Sequence, residues 1–412
     1  MDEDTRSRAV PLYQSAAFTF ASPEHAAALF ELEGCEGLPS NIYTRIANPT
    51  TEVLEKRLAA MDGAQCGVAV ASGIAAISLA VLNLTRAGQN IVSDPAVYGG
   101  TATFFQHTLQ RFGIEVRWAD FCDPKAVEKA MDPQTRLVYC ETISNPKNQI
   151  CDIAAISALA HQHGIPMLMD NTCAPGGVDW VSAGVDIAVY SMTKYIGGHG
   201  TSIGGMILDS GRFDWNGGRF PEFTSPDPAY HGLIFREHFG NACFAARIRC
   251  CLLRDMGACL SPFNAWLFIQ GLETLGLRWT RICETALKIA QWLETHPSVS
   301  WVNYPGLPSS LSYANAQKYL NGCGGIIGFG IRGGREAGQE FLKKVKLCSH
   351  AANIADSHTL VTHPASTTHQ QLTPQELAAA GVTDDFVRLA VGLENAEDII
   401  ADLEQALSQT NA

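Results

Sequence analysis

The sequence predicts an α/β protein, with a large, mostly parallel, seven-stranded sheet covered by helices and a smaller C-terminal α/β unit behind it. Two observations carry this. Between residues 67 and 210 short apolar runs recur, and they are continuously apolar rather than alternating, as in strands buried on both faces. Amphipathic segments at helical spacing separate them, and repeated strand–helix–strand units build a parallel sheet between helical layers. With 412 residues the chain can fill two or three cores.

Taken in order, residues 1–48 are irregular, rich in Ala, Pro and Gly, and end near "NIYTRIANPT". The texture changes at "TTEVLEKRLAAMDG" (50–63), which has a threonine start, helical apolar spacing and a glycine stop. Seven strand candidates follow at 67–72, 90–94, 114–120, 136–142, 165–172, 186–193 and 204–210. "FDWNGGRFPEFTSPDPAYHGL" (213–233) is polar and rich in Gly and Pro, and reads as a surface excursion near the site. Helices are expected over 242–256 and 261–296, the second with "SPFNAW" as a capped start. The last third mixes strands "GGIIGFGI" and "VRLAVGLE" with helices over 335–345 and 395–409. The expected division is an arm (1–48), a large domain (49–258) and a small domain (259–412).

The formal net charge of −12 argues against nucleic acid and anionic membrane surfaces as partners. The N-terminus "MDEDTRSRAV" has no apolar signal region, and no stretch has the run of apolar residues a membrane span needs. Thirteen scattered cysteines, an odd count without CxxC pairs, read as reduced thiols of a cytoplasmic protein and not as a metal site.

In open parallel sheets ligands bind at the carboxyl ends of strands. After "GVAVA" come Ser72 and Gly73, opening a helix whose N-terminal N–H groups make an anion site; a plain N-cap is the alternative. After "IPMLM" comes Asp170, a charge that needs a cation or donors at that depth. After "DIAVY" come Ser191, Thr193 and Lys194. An aspartate and a lysine at successive strand ends is the arrangement pyridoxal phosphate needs. The amine forms a Schiff base with the aldehyde, and the carboxylate keeps the ring nitrogen protonated. The hydroxyls of Ser191 and Thr193, with the Ser72–Gly73 turn, are suited to phosphate oxygens. A surface lysine at a strand exit is the bland alternative for Lys194. His199, His363 and His369 read as hydrogen-bonded or packing residues, and "HQH" (161–163) as a solvated helix end.

"SMTKYIGGHG" (191–200) resembles the lysine motif of the pyridoxal-phosphate enzymes of cysteine and methionine metabolism, the trans-sulfuration family, and the resemblance covers essentially the whole chain. It implies the fold type I pyridoxal-phosphate transferase architecture. In "YTRIANPT", it implies that Tyr43 and Arg45 reach a neighbouring subunit's cofactor phosphate. In "ASGIAA" it implies a phosphate cup of Ser72, Gly73 and Ile74. In "VYGGT" it places Tyr98 on the pyridine ring, and in "ETISNP" it places Asn145 by the ring hydroxyl. In "VRLAVGLE" it makes Arg388 the partner of the substrate carboxylate, with Asn353 and Tyr43 also on the substrate side. Lys194 and Tyr98 are the implied acid–base residues. A homotetramer, as a dimer of dimers, is implied too.

Within the family, "THPASTTHQQLT" (362–373) and the 213–233 excursion resemble the O-acetylhomoserine sulfhydrylases. Gly100 stands where methionine γ-lyases carry a reactive cysteine. The implied reaction is γ-replacement, turning O-acetyl-L-homoserine and sulfide into L-homocysteine and acetate. γ-Elimination, an O-succinyl or O-phospho ester, or another thiol donor are the alternatives. A non-catalytic protein on the same fold is another, and it would be expected to lack the lysine.

Overall fold

The computed structural model describes residues 6–32, 41–367, 370 and 381–410. Its large sheet has seven strands: β1 (Cys66–Val70), β2 (Asn90–Ser93), β3 (Glu115–Trp118), β4 (Thr135–Glu141), β5 (Met167–Asp170), β6 (Ile187–Ser191) and β7 (Gly205–Asp209). Their order is β1-β7-β6-β5-β4-β2-β3. Strands β2 to β6 run parallel, and β7 is antiparallel to both neighbours, β1 and β6. All seven expected strands are present, within a few residues of their expected ends.

The reason the runs are continuously apolar is visible in β4. Leu137 and Tyr139 enter the core on one face of the sheet, and Val138 and Cys140 enter the core on the other. Strand β5 divides likewise, with Leu168 on one side and Met167 and Met169 on the other.

A second sheet, ordered β10-β11-β12-β9-β8, is formed by β8 (Val299–Asn303), β9 (Ile326–Ile331), β10 (Ser349–His350), β11 (Leu360–Thr362) and β12 (Phe386–Ala390). Helices Leu275–Thr295, Gly334–Lys344 and Ala396–Leu407 close a core of its own, around Phe329, Phe341 and Leu403. The larger core also takes in Phe268, Trp279, Ile354 and Ala390, so packing is continuous from one sheet to the other.

Several expectations change. The helix expected over 261–296 is two helices, Pro262–Glu273 and Leu275–Thr295. Thr274 between them has φ −112° and ψ 5°. Buried Arg278 occupies the break: its guanidinium donates to the carbonyls of Gly271 (2.7 Å), Tyr195 (2.6 Å) and Ile196 (3.2 Å). Ser261 makes no side-chain cap; Pro262 at the first helical position starts the helix by its fixed φ. The helix over 243–256 contains a π-helical stretch, Ile248–Leu253.

The 213–233 excursion is more than a surface loop. Trp215, Phe220 and Phe223 are buried, and Trp215 stacks on Phe244 with ring centroids 5.6 Å apart. Its aromatic residues plug the core while its polar ones face outward, and none of its residues lines the site cavity. His161 is not merely a solvated helix end: its Nε2 lies 2.7 Å from Oδ2 of buried Asp186. Residues 368, 369 and 371–373 of the "THPASTTHQQLT" segment, His369 among them, lie outside the described residues. Among the described residues no helix is long and apolar enough to cross a membrane.

Candidate active site

The carboxyl ends of β4, β5 and β6 meet the N-terminus of helix Gly73–Leu84 around a cavity of about 220 Å³. Ser72, Gly73, Ile74, Tyr98, Asn145 and Asp170 line it, as do Ser191, Thr193, Lys194 and Arg388. A larger cleft of about 960 Å³ lies elsewhere, lined by Asp120, Lys147 and Trp301 among others. It shares no residue with the strand-end constellation, so chemistry rather than size selects the smaller cavity.

Ser72 caps its helix, its hydroxyl accepting from the Ala75 N–H at 3.1 Å. The cap and a ligand turn are therefore compatible here. The turn is pressed against β6 and β7: a Cβ on Gly73 would lie 2.6 Å from the Ser191 Cβ, and one on Gly205 would lie 2.0 Å from the Ser72 carbonyl oxygen. Only glycines let the turn, Ser191 and the start of β7 converge.

Asp170 is half-buried in the floor, and its Oδ1 accepts the Thr172 N–H at 2.9 Å. Burial raises its pKa, opposed by the Thr172 hydrogen bonds. Beside it, at the matching register of β4, stands buried Glu141. Glu141 takes the N–H of Tyr98 at 2.6 Å and that of Asn145 at 3.2 Å.

On the other side, Lys194 donates to Oδ1 of Asn353. Burial lowers its pKa first, and the charge of Arg388 adds to that. Arg388, on β12, is buried and among the described residues meets only neutral acceptors. These are Asn145 Oδ1 at 3.4 Å and the carbonyls of Ala352 (3.2 Å) and Asn353 (3.3 Å). Its Nε has no partner among the described residues, and burial brings its pKa down to about 10. A buried guanidinium whose partners are all neutral is short of an anion.

Tyr98 sits at the mouth, half exposed, with Ile74 and Ile203. A Cβ on Gly100 would lie 2.5 Å from Tyr98 Cε1, so the bare backbone at Gly100 lets the ring lie where it does.

Tyr43 and Arg45 do not join this cavity. Both are exposed, with the Arg45 guanidinium 5.4 Å from the centre of the Tyr43 ring. Asn353 contacts Lys194 and Arg388, which bridges the two groups. Of the histidines, His199 has Nδ1 2.5 Å from the Gly197 carbonyl. His363 is buried between Ser366 and the Asp384 carbonyl, and burial keeps it neutral by lowering its pKa.

Among the lining residues that the sequence does not single out are the titratable pair Glu141 and Cys173. Glu141 closes a buried apolar run as Asp170 does, so the same strand-end rule finds it. Cys173 carries no signal of its own.

These donors fit pyridoxal phosphate. A lysine with a lowered pKa, a carboxylate at the next strand end, a glycine turn at a helix N-terminus and hydroxyls beside it share one cavity. The model for the Cys/Met metabolism PLP-dependent enzymes matches residues 1–408. The chain belongs to that family. As a Cys/Met metabolism PLP-dependent enzyme it is similar to the O-acetyl-L-homoserine sulfhydrylase of Leptospira meyeri, at 49% identity over 98% of this chain and 93% of that one. O-acetyl-L-homoserine sulfhydrylase 1 of Thermus thermophilus is 47% identical over 98% and 96%. The homocysteine/cysteine synthase of Saccharomyces cerevisiae is 45% identical over 98% and 94%. A crystal structure of a putative O-acetylhomoserine (thiol)-lyase from Campylobacter jejuni, containing N'-pyridoxyl-lysine-5'-monophosphate, superposes with a TM-score of 0.95. It is 40% identical and covers 98% of this chain and 96% of that one.

Proposed function

We propose that the protein makes L-homocysteine and acetate from O-acetyl-L-homoserine and sulfide. The C–O bond at Cγ breaks, acetate leaves with its electron pair, and sulfide supplies the pair for the new C–S bond. The observation that carries this is Arg388: a buried guanidinium with neutral partners, in the same cavity as Lys194, in a chain alike from end to end to proteins named sulfhydrylases. It is a receptor for the carboxylate of an amino-acid substrate.

Pyridoxal phosphate, when bound, supplies an aldehyde for amines and a pyridinium that accepts electrons from Cα and Cβ. Lys194 would hold its aldehyde end, and Asp170 would face the ring nitrogen. Ser72, Gly73, Ile74, Ser191 and Thr193 would cradle the phosphate, with Asn145 beside the ring hydroxyl. As a free amine whose pKa burial lowers, Lys194 would take the proton from the substrate Cα. Tyr98, at the mouth, would cover the ring and would be the second candidate for carrying a proton, at Cβ. Asn353 steers the Lys194 amine between these tasks, since its side chain already accepts from it. Ile74 and Ile203 screen the mouth from water.

The arm enters through its partner subunit. Tyr43 and Arg45 are exposed and outside their own protomer's cavity, which supports a role at the neighbouring phosphate in a homodimer, and in a tetramer built from two such dimers. The twelve described cysteines, all free, support a reducing, cytoplasmic setting.

The test is a substrate panel. O-acetyl-L-homoserine with sulfide is expected to give homocysteine, with little turnover of the succinyl ester or of methionine. Sulfide-independent release of α-ketobutyrate as the main product would overturn replacement in favour of γ-elimination.

A further inference from the structure

Glu141 is the least explained charge in the cavity. It ends β4, is register partner of Asp170 on β5, and is buried. Among the described residues no ion pair includes it. Its contacts are two backbone donors: the Tyr98 N–H at 2.6 Å on one carboxyl oxygen and the Asn145 N–H at 3.2 Å on the other. These belong to different loops, one after β2 and one after β4. Both loops carry residues the proposed function sets against the cofactor ring.

Two N–H groups on two oxygens fit an ionised carboxylate, because a protonated oxygen would set an O–H against one of them. The surroundings resist that ionisation. Burial and the charges of Asp170 and Asp94 push the Glu141 pKa well up. Tyr139 and Cys140 on its own strand, and Cys173 after β5, are neutral neighbours that feel its charge. The cations facing the cavity are Lys194 and Arg388. A geometry built for a carboxylate, in surroundings that disfavour one, calls for a further cation in the cavity.

We infer that Glu141 is a charged positioning residue: it ties the Tyr98 turn to the Asn145 loop and sets a second negative charge beside Asp170 for the cationic ring of the cofactor. The inference rests on the reading that this cavity takes pyridoxal phosphate. Glu141 acts on the chemistry through Tyr98, Asn145 and the ring's charge, not by touching the reacting atoms.

The test uses the full-length protein, stripped of cofactor and titrated with pyridoxal phosphate while the visible absorption of the bound form is followed. Glu141→Gln keeps the size but loses the charge and one acceptor. Its dissociation constant for the cofactor should rise about tenfold, the loss of one hydrogen bond to a charged group. The pH midpoint of the visible band should fall by about one unit, because removing a nearby anion makes a cation easier to deprotonate. Glu141→Asp keeps the charge and shortens the reach, so it should lose affinity yet hold the midpoint near the native value. An unmoved midpoint in Glu141→Gln overturns the inference, whatever happens to affinity. If that variant does not fold, a midpoint displaced in Glu141→Asp overturns it instead. Native protein that gains no visible band would instead sink the cofactor reading itself.

Discussion

Arg388 has a guanidinium whose acceptors, Asn145, Ala352 and Asn353, contribute one amide oxygen and two carbonyls and no charge. A planar fork with a spare Nε suits two carboxylate oxygens better than an ammonium does. Arg388→Lys should therefore raise KM for the amino-acid substrate about tenfold or more, with a smaller fall in kcat, as measured in steady-state assays at saturating sulfide. Gly100 works through its neighbour. With Cβ only 2.5 Å from Tyr98 Cε1, Gly100→Ala must push the ring aside. A fall in kcat of about tenfold is expected, and in a Tyr98→Ala background, which leaves no ring to displace, the added methyl should cost little more. Fully additive losses would show that Gly100 acts elsewhere. At this scale Lys194 and Asp170 were legible because a charge closing an apolar strand is conspicuous. Glu141 obeyed the same rule and was passed over. Asn353 and Ala352, whose carbonyls meet Arg388, were not readable from spacing, because they come from a segment more than 150 residues beyond Lys194 that only the fold brings to it.

At the scale of elements, the strands were legible because each is buried on both faces. The break at Thr274 was not. Local helical pattern runs through it, and what breaks it is Arg278 reaching carbonyls just after Lys194, a tertiary contact. The helix Pro49–Asp62 has a similar hidden tie at its end. Asp62 Oδ2 accepts the Trp180 indole N–H at 2.8 Å and the Tyr190 hydroxyl of β6, while its Oδ1 has no partner. Burial raises its pKa from 3.8 to about 6. A carboxyl group that is raised on folding binds its proton more tightly in the native state. Its stabilising share is therefore present at low pH and lost as pH climbs from about 4 to about 6. A raise of that size corresponds to about 3 kcal/mol. Asp62→Asn cannot titrate, so native protein should lose stability relative to this variant across that window and run parallel to it above. Thermal melts at pH 4, 5, 6 and 7 check this; parallel curves throughout would mean that folding does not raise the Asp62 pKa.

At the scale of the whole molecule, the sequence foresaw a large sheet and a smaller α/β unit but could not foresee how they share a core. The packing that joins Phe268 and Trp279 to the large sheet is made of ordinary apolar residues, each equally able to serve a core of its own. The arm raises the larger question. Tyr43 and Arg45 lie outside their own protomer's cavity, with the cation stacked on the ring and exposed. An exposed Arg–Tyr pair can be surface decoration or half of a site completed by a second copy. A two-fold dimer makes the second case testable, because each site would then draw Lys194 from one chain and Arg45 from the other. Lys194→Ala should be inactive, and Arg45→Ala should bind the cofactor weakly. Unfolding and refolding the two together yields mixed dimers in which one site has both native residues and the other has neither. With random pairing half the dimers are mixed, so roughly a quarter of native activity should return. If each site were built within one chain, every site in the mixture would lack either Lys194 or Arg45, and activity would stay at the average of the two parents.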